Sequence, residues 1–179
     1  MKKAVLDASS AILLLKAALL DKLVEVYHVS QAQSVLHELT RKRSYGTDAF
    51  LQYAAQKKIK IIDVQHMELP LKNAARIPDF LGQGELDTIK CFWAGKQNFI
   101  IIDDGRAARY CSKNNIDYIN ALLFPRLLYF SGSVSLDSCN YLMDKIIKFG
   151  RYSGKIAAWA RDCKKEDLLF AIPGSEYSS

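Results

Sequence analysis

Four acidic residues stand where reactive chemistry could use them: Asp7, Glu38, Glu85 and Asp103. Asp7 and Asp103 each end a short apolar run, Ala4-Val5-Leu6 and Phe99-Ile100-Ile101-Ile102, just before a stretch with helical character. Carboxylates gathered in one place repel, which raises their pKa values and costs stability. A hard cation relieves that repulsion. Mg²⁺ and Mn²⁺ prefer oxygen ligands, and Mg²⁺ completes its shell with water and substrate phosphate. Such a centre can activate water and neutralise a phosphodiester. Competing chemistries find little support. Gly82-Gln83-Gly84 lacks the Lys-Ser/Thr that completes a phosphate-binding loop, and neither a dinucleotide fingerprint nor a serine triad is visible.

The elements that must position these acids alternate in type. Strands are expected at 4–6, 26–29, 59–64, 99–102 and 117–119. Helices are expected at 11–15, capped by Ser9 or Ser10, at 31–43, capped by Ser30, and at 47–57, 85–95 and 106–113. Residues 69–80 hold Pro70 and Pro78 and read as irregular. This alternation implies an α/β fold with a central parallel sheet and helices on both faces. Beyond residue 120 only helical patterns remain, at 121–130, 136–149 and 155–169. The domain reading is therefore an α/β domain over 1–120 and a helical C-terminal extension over 121–179 packed on the same domain.

In open parallel sheets ligands bind beyond the carboxyl ends of the strands, where strand order reverses. Asp7 and Asp103 suit that place, although aspartate is also a favoured helix cap. Glu38 falls near the margin of the Leu36 and Leu39 stripe. In the helix 85–95, Leu86, Ile89 and Trp93 define a buried stripe. Glu85 then lies near that stripe beside Phe92, whereas Asp87 projects away from it, as a supporting or merely solvated residue. Arg41-Lys42-Arg43 follow Glu38, and Arg106 and Arg109 follow Asp103 one turn apart. These cations can hold phosphates or simply end helices. Tyr45, Tyr53, Tyr110 and Tyr118 can stack on bases or fill core.

Half of the 179 residues are hydrophobic, enough for a sizeable core, and the net charge of +6 favours a polyanionic partner. Cys91, Cys111, Cys139 and Cys163 are scattered and read as reduced, buried thiols. His28, His37 and His66 lack metal-ligand spacing; His37, beside Glu38, can border a site, but a surface histidine is the expectation. No signal peptide or apolar span is read, so the expected location is cytoplasmic, with no membrane partner.

Val5-Leu6-Asp7-Ala8-Ser9, Ser34-Val35-Leu36-His37-Glu38-Leu39, Gly84-Glu85-Leu86-Asp87 and Asp103-Asp104-Gly105-Arg106-Ala107-Ala108-Arg109 together resemble the PIN-domain family in type, order and spacing, over about residues 3–119. The last two motifs resemble those of a VapC-like subgroup. The resemblance implies a three-layer α/β/α fold and Mg²⁺- or Mn²⁺-dependent endoribonuclease activity. It implies metal-binding acids at Asp7, Glu38, Glu85 and Asp103, with Asp104 sharing or replacing the role of Asp103. Ser9 and Asp87 would support them, and Arg41, Arg43, Arg106 and Arg109 would contact RNA. It extends to a toxin of a toxin–antitoxin pair, dimeric and silenced by a small antitoxin. The alternative is a PIN-fold module that binds nucleic acid or protein without turnover.

Overall fold

The structure is a computed structural model that describes residues 1–41, 45–67 and 81–175. Five strands form one parallel sheet: β1 (Lys3–Leu6), β2 (His28–Ala32), β3 (Ile59–Ile62), β4 (Phe99–Ile101) and β5 (Tyr118–Ile119). Their spatial order is β3-β2-β1-β4-β5. The chain builds outward from β1 to β3, then returns to the other side of β1 with β4. The switch point therefore lies between β1 and β4, where Val5 pairs with Ile100 and Leu6 with Ile101. Every residue of Ala4–Leu6 and Phe99–Ile101 is fully buried. Continuous apolar strands of this kind need cover on both faces, and the helices provide it.

The described helices are α1 (Ala8–Lys16), α2 (Leu20–Val26), α3 (Gln33–Thr40), α4 (Thr47–Ala55), α5 (Gln83–Ala94), α6 (Gly105–Lys113), α7 (Phe124–Phe130), α8 (Leu136–Phe149) and α9 (Gly154–Asp162). Single 3₁₀ turns occur at Ala121–Leu123 and Glu166–Leu168. The expected three-layer α/β/α architecture with C-terminal helices is the one observed. Those C-terminal helices join the same core: Leu122, Phe124, Leu127, Met143 and Ile146 are buried together with the strands and α1. Lys2 Nζ donates to the carbonyls of Leu169 and Phe170 at 3.0 and 2.6 Å, tying the far end of the chain to the start of β1. Among the described residues, no helix is long and apolar enough to cross a membrane.

Local details correct the sequence expectations. α1 is capped by Asp7, not by Ser9 or Ser10, because the Asp7 carboxylate accepts from Ser9 N. Val26 ends a helix, α2, that was not expected; Leu20 and Leu23, one turn apart, bury its inner side. Ser30 is not a cap but the middle of β2, which continues to Ala32 opposite Ile62. Helical propensity at 31–32 yields to the ladder formed with β3. Asp87 is neither solvated nor turned outward: it is 2 % exposed, while Leu86 and Trp93 are only partly buried. α5 packs against both the sheet and α3, so its inner face centres on Asp87, Thr88 and Cys91. All four cysteines are buried free thiols, as expected. The reading of 69–80 as irregular, and Arg43, lie outside the described residues.

Candidate active-site cleft

The cleft opens at the carboxyl ends of the strands and encloses about 1060 Å³. Four carboxylates from four separate segments line it: Asp7 after β1, Glu38 on α3, Glu85 on α5 and Asp104 after β4. Asp7 sits on its floor at 4 % exposure. One of its oxygens accepts from Ser9 Oγ at 2.6 Å and from Ser9 N at 3.1 Å, which fixes the rotamer. Burial, aided by the charge of Glu38, pushes the Asp7 carboxyl from its ordinary 3.8 up to about 6, against the opposing pull of the Ser9 bonds.

Glu38 reaches the cleft from the exposed side of α3, so close to α5 that a Cβ at Gly84 would stand 2.9 Å from Glu38 Oε2. Glu85 accepts from Gly82 N at 2.9 Å through Oε2, closing the first turn of α5. Its other oxygen faces the Arg106 guanidinium at 3.9 Å. Asp104 caps α6 by accepting from Arg106 N and Ala107 N at 2.8 and 3.0 Å. Both bonds use Oδ1, which also stands 3.8 Å from Arg106 Nε. Arg106 thus bridges two cleft acids.

The neighbouring carboxylates separate in the fold. Asp103 points away from the cleft lining. Its oxygens accept from Ser10 Oγ at 2.7 Å, Ala121 N at 3.0 Å and the Tyr152 hydroxyl. Burial holds the Asp103 carboxyl above its ordinary pKa despite these bonds. Asp103 therefore fastens β4 to α1 and to the C-terminal segments. Asp87 likewise lies beneath α5, held by Gln83 Nε2 at 2.9 Å and facing Lys90 Nζ at 3.6 Å. Arg41 lines the cleft, and Arg109 is exposed on α6 outside it.

Sequence reasoning missed several lining residues: Gln33, Ser34, Gln65 and Gln83. Ser34 precedes Glu38 by one helical turn, a spacing that puts both on one face. Its Oγ is shielded from solvent and has no partner among the described residues. His37 also lines the cleft.

The donor set suits a hard divalent cation in kind, since the acidic lining consists of carboxylates, one of them desolvated and coupled to a second. Among the described residues no three acids, histidines or cysteines converge on one point. A Mg²⁺ ion needs only one or two carboxylates alongside water and phosphate, so the Asp7 and Glu38 pair meets that demand.

Neither a search of curated proteins nor one of solved structures finds a match. A family model does: residues 3–156 match that of the PIN domain, a family whose members are commonly nucleases and typically bind divalent metals. The match spans the sheet, every cleft acid and α8, so this chain belongs to the PIN-domain family.

Proposed function

We propose that this chain is a divalent-cation-dependent endoribonuclease. The observation that carries the reading is that Asp7, Glu38, Glu85 and Asp104, from four chain segments, line one cleft at the switch point of the sheet. Mg²⁺ or Mn²⁺, when bound, supplies Lewis-acid polarisation of a phosphoryl oxygen and lowers the pKa of water. Asp7 and Glu38 would hold the cation, with Asp104 and Glu85 on the facing wall. Ser9 keeps Asp7 in place. Arg106, already between Glu85 and Asp104, can turn to a phosphate oxygen, and Arg41 meets the RNA backbone at the rim. In the reaction, water oxygen forms a bond to phosphorus, the bond to the leaving ribose oxygen breaks, and that oxygen takes up a proton.

Asp104, not Asp103, is the acid assigned to the cleft from this strand end. The test is cleavage of RNA with Mg²⁺ or Mn²⁺, with and without EDTA. Asp104→Asn should lower the rate at least about a hundredfold, the scale of losing a stabilising group at the reacting centre. Its folding stability should change little, because Asn caps helices about as well as Asp. Asp103→Ala should instead cost about 2 kcal/mol in denaturant unfolding, since it leaves three partly buried donors without their acceptor. Equal cleavage by wild type and Asp104→Asn would rule the assignment out.

The reading extends to a dimeric toxin restrained by a small antitoxin, tested by growth arrest on expression and its relief by a small open reading frame beside the gene. A second reading, binding without turnover, draws on Arg106, which already pairs with two cleft acids. RNA binding by a pure preparation that shows no cleavage with either metal would favour it.

A further inference from the structure

A second groove, of about 1070 Å³, adjoins the acidic cleft and shares Ser9 and Asp104 with it. Its far wall is built by the C-terminal helices. Trp159 and Ile156, one turn apart on α9, and Phe149 at the end of α8 line it at 53, 41 and 42 % exposure. Three large apolar side chains open to solvent in one groove mark a binding surface. Two cations accompany them: Lys16 at the end of α1 and Arg151 in the connection between α8 and α9. Its acids are largely engaged within the protein. Asp103 accepts from Ser10, Ala121 and Tyr152, and Asp167 accepts from Lys164 N at 3.2 Å.

We propose that this groove binds the unpaired nucleotides next to the scissile phosphate, so that the C-terminal helices select single-stranded RNA. The proposal rests on the ribonuclease reading of the cleft. Ser9 and Asp104 line both sites, so an RNA strand whose phosphate lies among the cleft acids has a continuous path into the groove. Indole and phenyl faces stack on bases of any sequence, and stacking requires bases that are not already paired. Lys16 and Arg151 meet the phosphates that flank them.

The test is the affinity of a fluorescently labelled, unstructured RNA measured by anisotropy in EDTA, which reads binding without turnover. Trp159→Ala should weaken binding about tenfold or more, the scale of one lost base stack. Trp159→Phe should restore most of it, and neither variant should lower the melting temperature appreciably, since the side chain is half exposed. Replacing Lys16 and Arg151 together by alanine should make the salt dependence of binding shallower by roughly two counterions. Wild-type affinity in Trp159→Ala, or no RNA binding by the wild type in EDTA, would overturn the groove assignment. So would a dimer in sedimentation that Trp159→Ala dissolves while RNA affinity stays constant, which would give the face to a second copy of the chain. Cleavage with Mg²⁺ is scored separately, so failure of the groove and failure of the nuclease reading are distinguishable.

Discussion

Asp7 shows what burying a carboxylate does to the fold that holds it. Its carboxyl titrates near 6 in the folded protein and near 3.8 when unexposed to burial, so the folded state binds the proton more tightly. The contribution of Asp7 to stability is therefore fully present below about pH 4 and is lost as pH rises through about 6. At neutral pH the buried charge destabilises the metal-free protein by about 3 kcal/mol, taking 1.36 kcal/mol per pKa unit. Asp7→Asn should accordingly raise stability near neutrality, by up to about that amount, and abolish RNA cleavage. Urea unfolding above and below the titration, beside a cleavage assay, checks both. A variant less stable than wild type at neutral pH would contradict this account. The same residue was legible in the sequence, because a lone acid ending an apolar strand is a local pattern. The choice between Asp103 and Asp104 was not: adjacent residues at a strand end point different ways, and only the positions of Ser10, Ala121 and Tyr152 decide which one is drawn away from the cleft.

At the scale of elements, the cleft depends on how closely α5 approaches α3. Gly84 lies in the first turn of α5, with Glu38 Oε2 and Val35 Cγ2 at 2.9 and 3.7 Å from where its Cβ would be. Gly84→Ala gains helix propensity, about 1 kcal/mol at most. It also pushes the Glu38 carboxylate, the mobile end of its side chain, out of place. The expected result is unchanged or slightly higher thermal stability with cleavage reduced several-fold or more. Parallel melting and rate measurements test this, and full activity would show that Glu38 need not hold its position. The helix wheel of α5 failed for a related reason. Leu86, Ile89 and Trp93 make a plausible apolar stripe, but the helix is covered by the sheet on one side and α3 on another. The inner face is set by that wedge, and Asp87 is tolerated there because Gln83 and Lys90 meet its charge.

At the scale of the molecule, the C-terminal helices belong to the same packed core as the sheet. Phe124 packs beside Tyr27, with ring centroids 6.3 Å apart, and the Tyr27 hydroxyl donates to the Ala171 carbonyl at 2.6 Å. Arg126, buried in α7, stacks 4.6 Å from the Phe130 ring centroid and donates to the Cys163 carbonyl at 2.5 Å. Tyr152 holds Asp103 directly behind the cleft. A fragment ending at residue 120 would expose the face of α1 that α8 and the turn Ala121–Leu123 cover, and is expected not to fold cooperatively. Circular dichroism with a denaturant titration would check it; a sigmoidal transition like that of the full chain would show that residues 1–120 stand alone.

The amino-acid sequence by itself determined the alternation of strands and helices, the parallel sheet and the segments that carry the acids. These follow from short-range patterns: apolar runs of strand length, helical periodicity, and acids at element ends. The tertiary structure alone decided which acids share the cleft. It sent Asp104 into the cleft, turned Asp103 to Ser10, Ala121 and Tyr152 beside the second groove, and buried Asp87 beneath α5. It also brought Trp159, distant in sequence, to a groove touching Asp104. Those outcomes depend on partners from distant segments. No local pattern encodes which donor will lie opposite a given carboxylate once the layers have packed.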